Sequence, residues 1–591
     1  MSSKTKSKAP DKTLIKRLYF YIHPYINHIL LAIVLSLVVA YLGTVRPKLT
    51  QIAVDDHIAI GDFEGLWSII ILLVLALVGE FILLMVNTYL TRWFGQNALY
   101  SLRSAVFSKI RNLHVQYFDR SPIGRLITRT TSDVEALSEL LSDGVVAIIG
   151  DMFRIIFILY FMFAMNWELS LVTIAILPVL FYATFWFKKR VRVSFLKVRD
   201  QIANLNSFVQ EHINGMKIVQ MFNREDYEHD KFRQINKGHK EAHIETIYYF
   251  SIFWPLVEVF ASFAMALIVW YGGGRALMGG VSFGVLLAFI QYARQFFQPI
   301  RGLSEKFNTL QSALASSERI FEVLDTEHQI SESTNSVTLK NPKGKIEFKD
   351  VWFRYNKDGA WILKGVSFLV EPGQHFAIVG ATGAGKTTII NILLRFYEIE
   401  KGEIYIDGIE FRELSLVDLR SLFGLVLQDH SLFTGSVMDN ITLGNPEITR
   451  KQVIGASRDV EASRFIEKLP NSYDYLLKKQ GSSLSLGQKQ LICFVRALVY
   501  NPLVMILDEA TSSVDSETES LVNTASKRVM KGRTTIAIAH RLATIQDADI
   551  ILVMHKGEIR EQGSHSNLIA NKDGLYRKLY ELQYKDQKLS A

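Results

Sequence analysis

Six apolar stretches, all within the first 300 of 591 residues, constrain this chain more than anything else in it. They lie at about 29–45, 66–89, 145–165, 169–187, 247–271 and 281–300, and a helix needs about 20 such residues to cross a bilayer. Lipid cannot satisfy backbone N–H and C=O groups, so each stretch is expected to be a transmembrane helix. The connections sort by charge. Residues 55–64 hold Asp55, Asp56, Asp62 and Glu64 with no Lys or Arg, whereas 188–240 is crowded with both, which places the termini and the two long connections in the cytoplasm. Those connections, about 91–143 and 188–245, keep helical periodicity, so the spans are expected to continue as long helices beyond the bilayer. Each should end in a bend, one near 118–124, where Pro122 and Gly124 break a helix, and one near 219–226. Residues 14–26 mix Leu, Ile, Tyr and Phe with Lys16, Arg17 and His23, the pattern of an amphipathic helix at a membrane surface.

Composition narrows the class. A hydrophobic share of 49% is high for a purely soluble chain, and a net charge of +8 is small for this length, so no nucleic-acid partner is expected. Cys493 is the only cysteine, which excludes an intrachain disulfide, a thiolate zinc cluster and an iron–sulfur site. Residues 1–10 are polar and basic and read as a tail, not a signal peptide.

Several polar residues interrupt the spans and should avoid lipid. Asp151 and Arg154, three apart on one helical face, suggest a local ion pair. Glu80 and Glu258 have no opposite charge at helical spacing, which leaves two readings open, a transport-pathway carboxylate and an interhelical hydrogen bond. Gln291 with Arg294 forms a further polar interruption. Phe250, Phe253, Trp254, Phe260 and Phe263 suit packing or lipid contact, with an apolar cavity wall as the alternative.

The second half changes character. After a linker at 323–345 rich in Ser, Thr, Asn, Glu and Lys, residues 346–355 alternate apolar and polar as an antiparallel strand does. The expected division is a membrane domain at 1–322 and an α/β domain at 346–591, a multidomain chain in which an all-α polytopic part precedes a P-loop domain. Residues 380–388, GATGAGKTT, fit the G-x-x-x-x-G-K-[ST] pattern between an apolar strand and a helix. Gly380, Gly383, Ala384 and Gly385 would wrap a polyphosphate, Lys386 would reach its terminal phosphates, and Thr387, with Thr388 beside it, would offer a hydroxyl to Mg2+. Residues 503–509 form an apolar strand ending in Asp508, suited to hold Mg2+ through water, and Glu509, suited to polarise an attacking water. A second strand, 534–541, would deliver His540 to the same edge. No N-K-x-D motif reads guanine.

Leu484-Ser-Leu-Gly-Gln488 resembles the signature loop of ATP-binding cassette proteins. Gln428 resembles their Q-loop glutamine, 512–515 their D-loop, and Tyr355 their adenine-stacking aromatic. With six preceding spans, nearly the whole chain resembles a half-transporter of the type IV exporter group, the multidrug and lipid exporters. The resemblance implies ATP and Mg2+ as cofactors, with Gln428 contributing to metal binding and catalysis, and coupling helices near 117–124 and 219–228 seated on nucleotide domains. Ser485, Gly487 and Gln488 of one subunit would close over ATP held by another. It also implies export of a small amphipathic drug or lipid from a bacterial inner or cell membrane, in contact with membrane lipid; a nucleotide-gated channel or regulator is the alternative. Leu486 stands where the family often has Gly, and Leu476 and Lys479 replace the usual acids of the preceding X-loop. Intact Lys386, Asp508, Glu509 and His540 beside this altered signature favour a heterodimer over a homodimer.

Overall fold

The computed structural model describes residues 12–327, 337–478, 481–508, 516–538 and 545–590. The chain divides into two units, Met1–Asn112 with Ile123–Thr326, and Leu113–Pro122 with Glu327–Ala591.

The first unit is all-α. Helices α1 (Lys12–Ile22), α2 (Ile26–Ile52) and α3 (Phe63–Arg111) lead into a short α4 (Val115–Arg120), which belongs to the second unit. The chain returns through α5 (Ile123–Thr130), α6 (Ser132–Glu139), α7 (Val145–Met165), α8 (Trp167–Ile174), α9 (Leu177–Met221), α10 (Glu225–Leu267), α11 (Gly273–Leu277) and α12 (Phe283–Asp325). At 1.5 Å per residue the 49 residues of α3 extend about 70 Å, more than twice the bilayer core. Among the described residues, five helical segments are long and apolar enough to cross a membrane, Lys16–Ile58, Phe63–Arg111, Val145–Met165, Trp167–Met221 and Glu225–Leu277. The sixth apolar stretch forms the start of α12, where Gln291, Arg294, Gln295 and Gln298 dilute it. An interior helix can carry them: Ala288, Phe289, Tyr292 and Ala293 are all buried in a cluster with Ile158, Met162 and Leu169.

Helix α1 is amphipathic, but its inner face packs on protein. Leu14, Leu18, Tyr21 and Ile22 join Leu99 and Leu102 of α3, Val134 and Leu137 of α6, and Phe321 of α12 in one cluster, leaving Tyr19 and Phe20 outward. Ion pairs surround that cluster. Asp133, buried on α6, accepts from Arg319 of α12, from Arg129 at 2.8 Å and from Ser316 at 3.2 Å. Burial alone would push its carboxyl up, yet the two guanidiniums outweigh this and hold it below the ordinary carboxylate value. Arg17 pairs with Asp325, the last residue of α12.

The polar interruptions of the spans find partners across helices, where sequence spacing cannot look. Asp151 pairs with Lys306 of α12, not with Arg154 as its spacing suggested. Glu80 meets Arg46 of α2 at 3.1 Å with its side chain 15% exposed, which favours the interhelical structural reading. Phe253 stacks on Phe187 at 3.8 Å, and Phe250 meets the same ring edge-on, so these two aromatics pack within the bundle. Trp254 and Phe263 face outward.

The second unit is α/β. One sheet is antiparallel, with strand order β2 (Leu363–Val370), β1 (Ile346–Phe353), β4 (Lys401–Ile406) and β5 (Ile409–Glu410). The other runs β12 (Glu558–Gly563), β11 (Ile550–His555), β3 (His375–Gly380), β10 (Thr534–Ile538), β9 (Val504–Asp508) and β6 (Phe423–Val426), parallel except at β12. The central strands β3, β9 and β10 read as continuous apolar runs because helices cover both faces of a parallel sheet. Helix α13 (Lys386–Leu393) follows β3 and α14 (Leu416–Ser421) leads into β6; then come the short paired strands β7 (Gly435–Ser436) and β8 (Leu476–Leu477), with α15 (Val437–Thr442), α16 (Arg450–Asp459) and α17 (Ser463–Ile466) between them, and α18 (Leu486–Val499) precedes β9.

Candidate nucleotide site

Three parallel strands end together. Asp508, the last residue of β9, is in register with Ile538, the last of β10, and Ile538 with Ile378 of β3, two residues before Gly380. This edge is where an open α/β sheet binds ligands. Glu509 directly follows β9 and His540 lies two residues past β10; both, with the D-loop positions 512–515 and Lys479, fall outside the described residues.

Between β3 and α13 the loop has the shape its glycines permit. Gly380, at φ +156°, lies so close to β11 that a Cβ would sit 2.3 Å from the Met554 carbonyl oxygen. Gly383, at φ +79°, has nothing within 4 Å of its Cβ position, leaving that side of the loop open. Lys386 is buried and curls back to donate from Nζ to the carbonyls of Gly380 at 2.7 Å and Ala381 at 3.2 Å. Burial pushes its pKa down, with the Asp508 charge opposing. A buried ammonium that donates to backbone carbonyls at the N-terminus of a helix fits an anionic phosphate. Ala384 is buried within the loop, and the Gly385 backbone caps α13.

The neighbouring threonines part ways. Thr387 is exposed, whereas Thr388 is buried and shares a hydrogen bond with the Tyr355 hydroxyl at 3.2 Å. The Thr387 hydroxyl, Asp508 and the exposed amide of Gln428, just past β6, supply the hard oxygen donors that Mg2+ prefers. Tyr355, two residues past β1, is half-buried, edge-on to Phe353 and to Tyr397 with centroids 4.9 Å away in each case. At the signature loop, Ser485 and Gln488 cap α18 reciprocally: Ser485 Oγ accepts from the Gln488 amide at 3.3 Å, and Gln488 Oε1 from the Ser485 amide at 3.0 Å. Gly487 is buried, and Leu486 and Leu476 are exposed.

Sequence reading named the bend near 118–124 but not the residues that hold it. Helix α4 donates from Arg120 Nη2 to the Tyr355 carbonyl at 2.6 Å and to Asn356 Oδ1 at 2.9 Å, and from Gln116 Nε2 to the same carbonyl at 3.3 Å. The Tyr397 hydroxyl donates to Asp119. Burial, then the Asp119 carboxylate, raises the Tyr397 pKa and keeps it a donor. No sequence motif marks these contacts, because they join segments some 240 to 280 residues apart. The second bend is a bare turn at 222–224, with Asn223 at φ +51°. It leaves Ile218, Met221, Phe222 and Tyr227 exposed.

In the first unit, Glu258, Ala261 and Met265 of α10 and Ala293, Arg294, Gln295, Phe297 and Gln298 of α12 line a cavity of about 440 Å³.

A phosphate-binding loop at the edge of a parallel sheet, in one chain with a bundle of membrane-length helices, defines a membrane-bound nucleotide hydrolase. The chain belongs to the ABC transporter family: residues 29–300 match the family model for the ABC transporter transmembrane region, and residues 363–512 a second model described as ABC transporter. It is 36% identical over 98% of its length to an uncharacterized ABC transporter ATP-binding protein, YfiC, of Bacillus subtilis (strain 168), covering 96% of that protein. It is 32% identical to an ATP-dependent lipid A-core flippase of Syntrophus aciditrophicus (strain SB), over 98% of this chain and 95% of that one. A fatty acid ABC transporter ATP-binding/permease protein of Mycobacterium bovis is 36% identical over 82% of this chain and 76% of its own. The protein is thus a multi-pass membrane protein that binds ATP, an ATPase coupled to transmembrane transport.

Proposed function

We propose that this chain is one half of a dimeric exporter that moves amphipathic drugs or lipids by alternating access, in a bacterial inner or cell membrane with its ATPase domain in the cytoplasm. The observation that carries this reading is the joining, in one chain, of membrane-length helices that end in cytoplasmic bends to an ATPase domain on which the first bend is seated. The exposed apolar tip of the second bend, Ile218, Met221, Phe222 and Tyr227, favours burial against a partner subunit. The mixed lining of the α10–α12 cavity suits an amphiphile, with Arg294, Gln295 and Gln298 for a polar end and Met265 and Phe297 for an apolar one. Lipid transport by the flippase and fatty acid relatives supports a lipid-like substrate.

In the nucleotide site, Lys386 and the loop amides bind the phosphates, Thr387, Asp508 and Gln428 hold Mg2+ directly or through water, and Tyr355 stacks on the base. When bound, the metal would supply charge neutralisation at the phosphates. Glu509 orients the attacking water and His540 contacts the terminal phosphate. Ser485, Gly487 and Gln488 complete the site of a partner subunit. The intact Walker residues beside Leu486 and Leu476 favour a partner that differs from this chain.

Expression of the chain alone and with a second half-transporter, followed by reconstitution and transport of labelled lipids, fatty acids and cationic dyes with and without ATP and Mg2+, tests this reading. Activity only on co-expression supports the heterodimer. A stable homodimer with brisk, substrate-stimulated ATPase refutes that part, and an ATP-gated ion current without uphill transport refutes export.

A further inference from the structure

We propose that Arg120, with Gln116 in support, is a positioning residue that sets the affinity for the adenine base by holding the backbone of Tyr355. The inference rests on the reading of Tyr355 as the base-stacking aromatic. Two donors from α4 converge on one acceptor, the Tyr355 carbonyl, at 2.6 and 3.3 Å, and the same Arg120 nitrogen reaches the side-chain Oδ1 of Asn356, so the Tyr355 peptide carbonyl and the next side chain are held from one helix. A guanidinium bond to a carbonyl is charge-assisted and directional. Tyr355 is fixed from its other end as well: its hydroxyl shares a hydrogen bond with Thr388 in the first turn of the phosphate-loop helix, and its ring lies edge-on to Tyr397, whose hydroxyl returns to α4 at Asp119. The contacts close a ring, α4 to Tyr355 to Thr388 on one side and α4 to Tyr397 to Tyr355 on the other.

The ring has a mechanical consequence. Helix α4 is joined to α3 by residues 112–114 and to α5 by residues 121–122, so it is the point at which the chain first passes from the helical unit into this domain. A displacement of α3 or α5 pulls on the carbonyl of Tyr355. The aromatic plane shifts while the phosphate loop, anchored on β3 and β11, stays in place. The base half of the nucleotide site therefore senses the membrane helices directly, and the phosphate half only through the single hydroxyl bond between Tyr355 and Thr388.

The test separates those halves in the reconstituted full chain, with its partner where one is required, by measuring the KM for ATP and the inhibition constant of inorganic tripolyphosphate, which has no base. Arg120→Ala is expected to raise the KM for ATP about 5- to 20-fold, the loss of one charge-assisted bond, with kcat at saturating ATP and tripolyphosphate inhibition unchanged. Gln116→Ala, which removes the longer bond, should do the same more weakly and serves if Arg120→Ala folds poorly. Tyr355→Ala should mimic Arg120→Ala, and the double variant should lose no more than Tyr355→Ala alone. Parallel loss of ATP and tripolyphosphate binding, or additive losses in the double variant, would overturn the proposal. A normal Tyr355→Ala effect with no effect of Arg120→Ala or Gln116→Ala overturns the positioning role alone. An unchanged KM in Tyr355→Ala overturns the stacking reading and the positioning role with it.

Discussion

Two glycines of the phosphate loop separate folding from binding. In Gly380→Ala the new Cβ would lie 2.3 Å from the Met554 carbonyl oxygen and 3.2 Å from Ala384 Cβ, where ordinary contact begins at 3.4 Å. The obstructing atom is backbone, in a parallel ladder that sets Met554 beside Gly380, so no side-chain rotation relieves it and two strands must part by about 1 Å. Overpacking of this kind costs about 1–3 kcal/mol, and a non-glycine residue at φ +156° adds about 1–3 kcal/mol. The two terms together, about 2–6 kcal/mol, should lower the melting midpoint of Gly380→Ala by roughly 4–24 °C, at about 2–4 °C per kcal/mol for a large domain. Gly383→Ala meets no atom within 4 Å and bears only the left-handed strain of φ +79°, about 1–2 kcal/mol, or roughly 2–8 °C. Its methyl instead projects from the open side of the loop, and ATP affinity should fall at least about tenfold, a loss of about 1.4 kcal/mol. Intrinsic fluorescence melts and nucleotide titration of both variants decide it. A Gly383→Ala protein that melts as low as Gly380→Ala while binding ATP normally would refute the reasoning, because the loop's open side would then be structural.

Glu509→Gln should retain ATP binding and nearly abolish turnover in the assembled dimer, measured as phosphate release; wild-type rates would remove Glu509 from the catalytic role. Lys386→Ala should weaken nucleotide binding itself, since it removes the charge beside the phosphates, and an unchanged ATP affinity would count against it. Glu80→Gln should lower stability without favouring one substrate class, because Arg46 loses its partner, whereas Glu258→Gln on the cavity wall should reduce transport of charged substrates more than neutral ones. Uptake of matched cationic and neutral dyes separates the two. Asp133 carries a pH signature: its folded pKa lies below the ordinary 3.8, so its stabilising effect is fully present above that value and is lost as pH falls through the depressed one. The melting midpoint of Asp133→Asn should therefore lie below wild type at neutral pH, with the gap closing below about pH 4. A gap that stays constant down to pH 3 would show that the pair does not act through its charge.

Sequence by itself determined the elements whose signal is local. The phosphate loop, the apolar strands of a covered parallel sheet and helices of bilayer length are each set by patterns within one segment, and they fixed the family and the division of labour between the halves. Relations between segments were decided only by the tertiary structure. Asp151 looked paired with Arg154 because helical spacing is all a sequence offers, yet Lys306, 155 residues away, takes it. Glu80 looked unpartnered until α2 brought Arg46 to 3.1 Å. The face of α1 that composition assigned to a membrane surface is shared with α3, α6 and α12, since burying apolar surface against protein satisfies the same hydrophobic drive as burying it in lipid. The grip of α4 on Tyr355 was invisible for the same reason: Gln116, Arg120 and Tyr397 form no motif, and a hydrogen bond to a backbone carbonyl leaves almost no constraint on the identity of the residue that carries it.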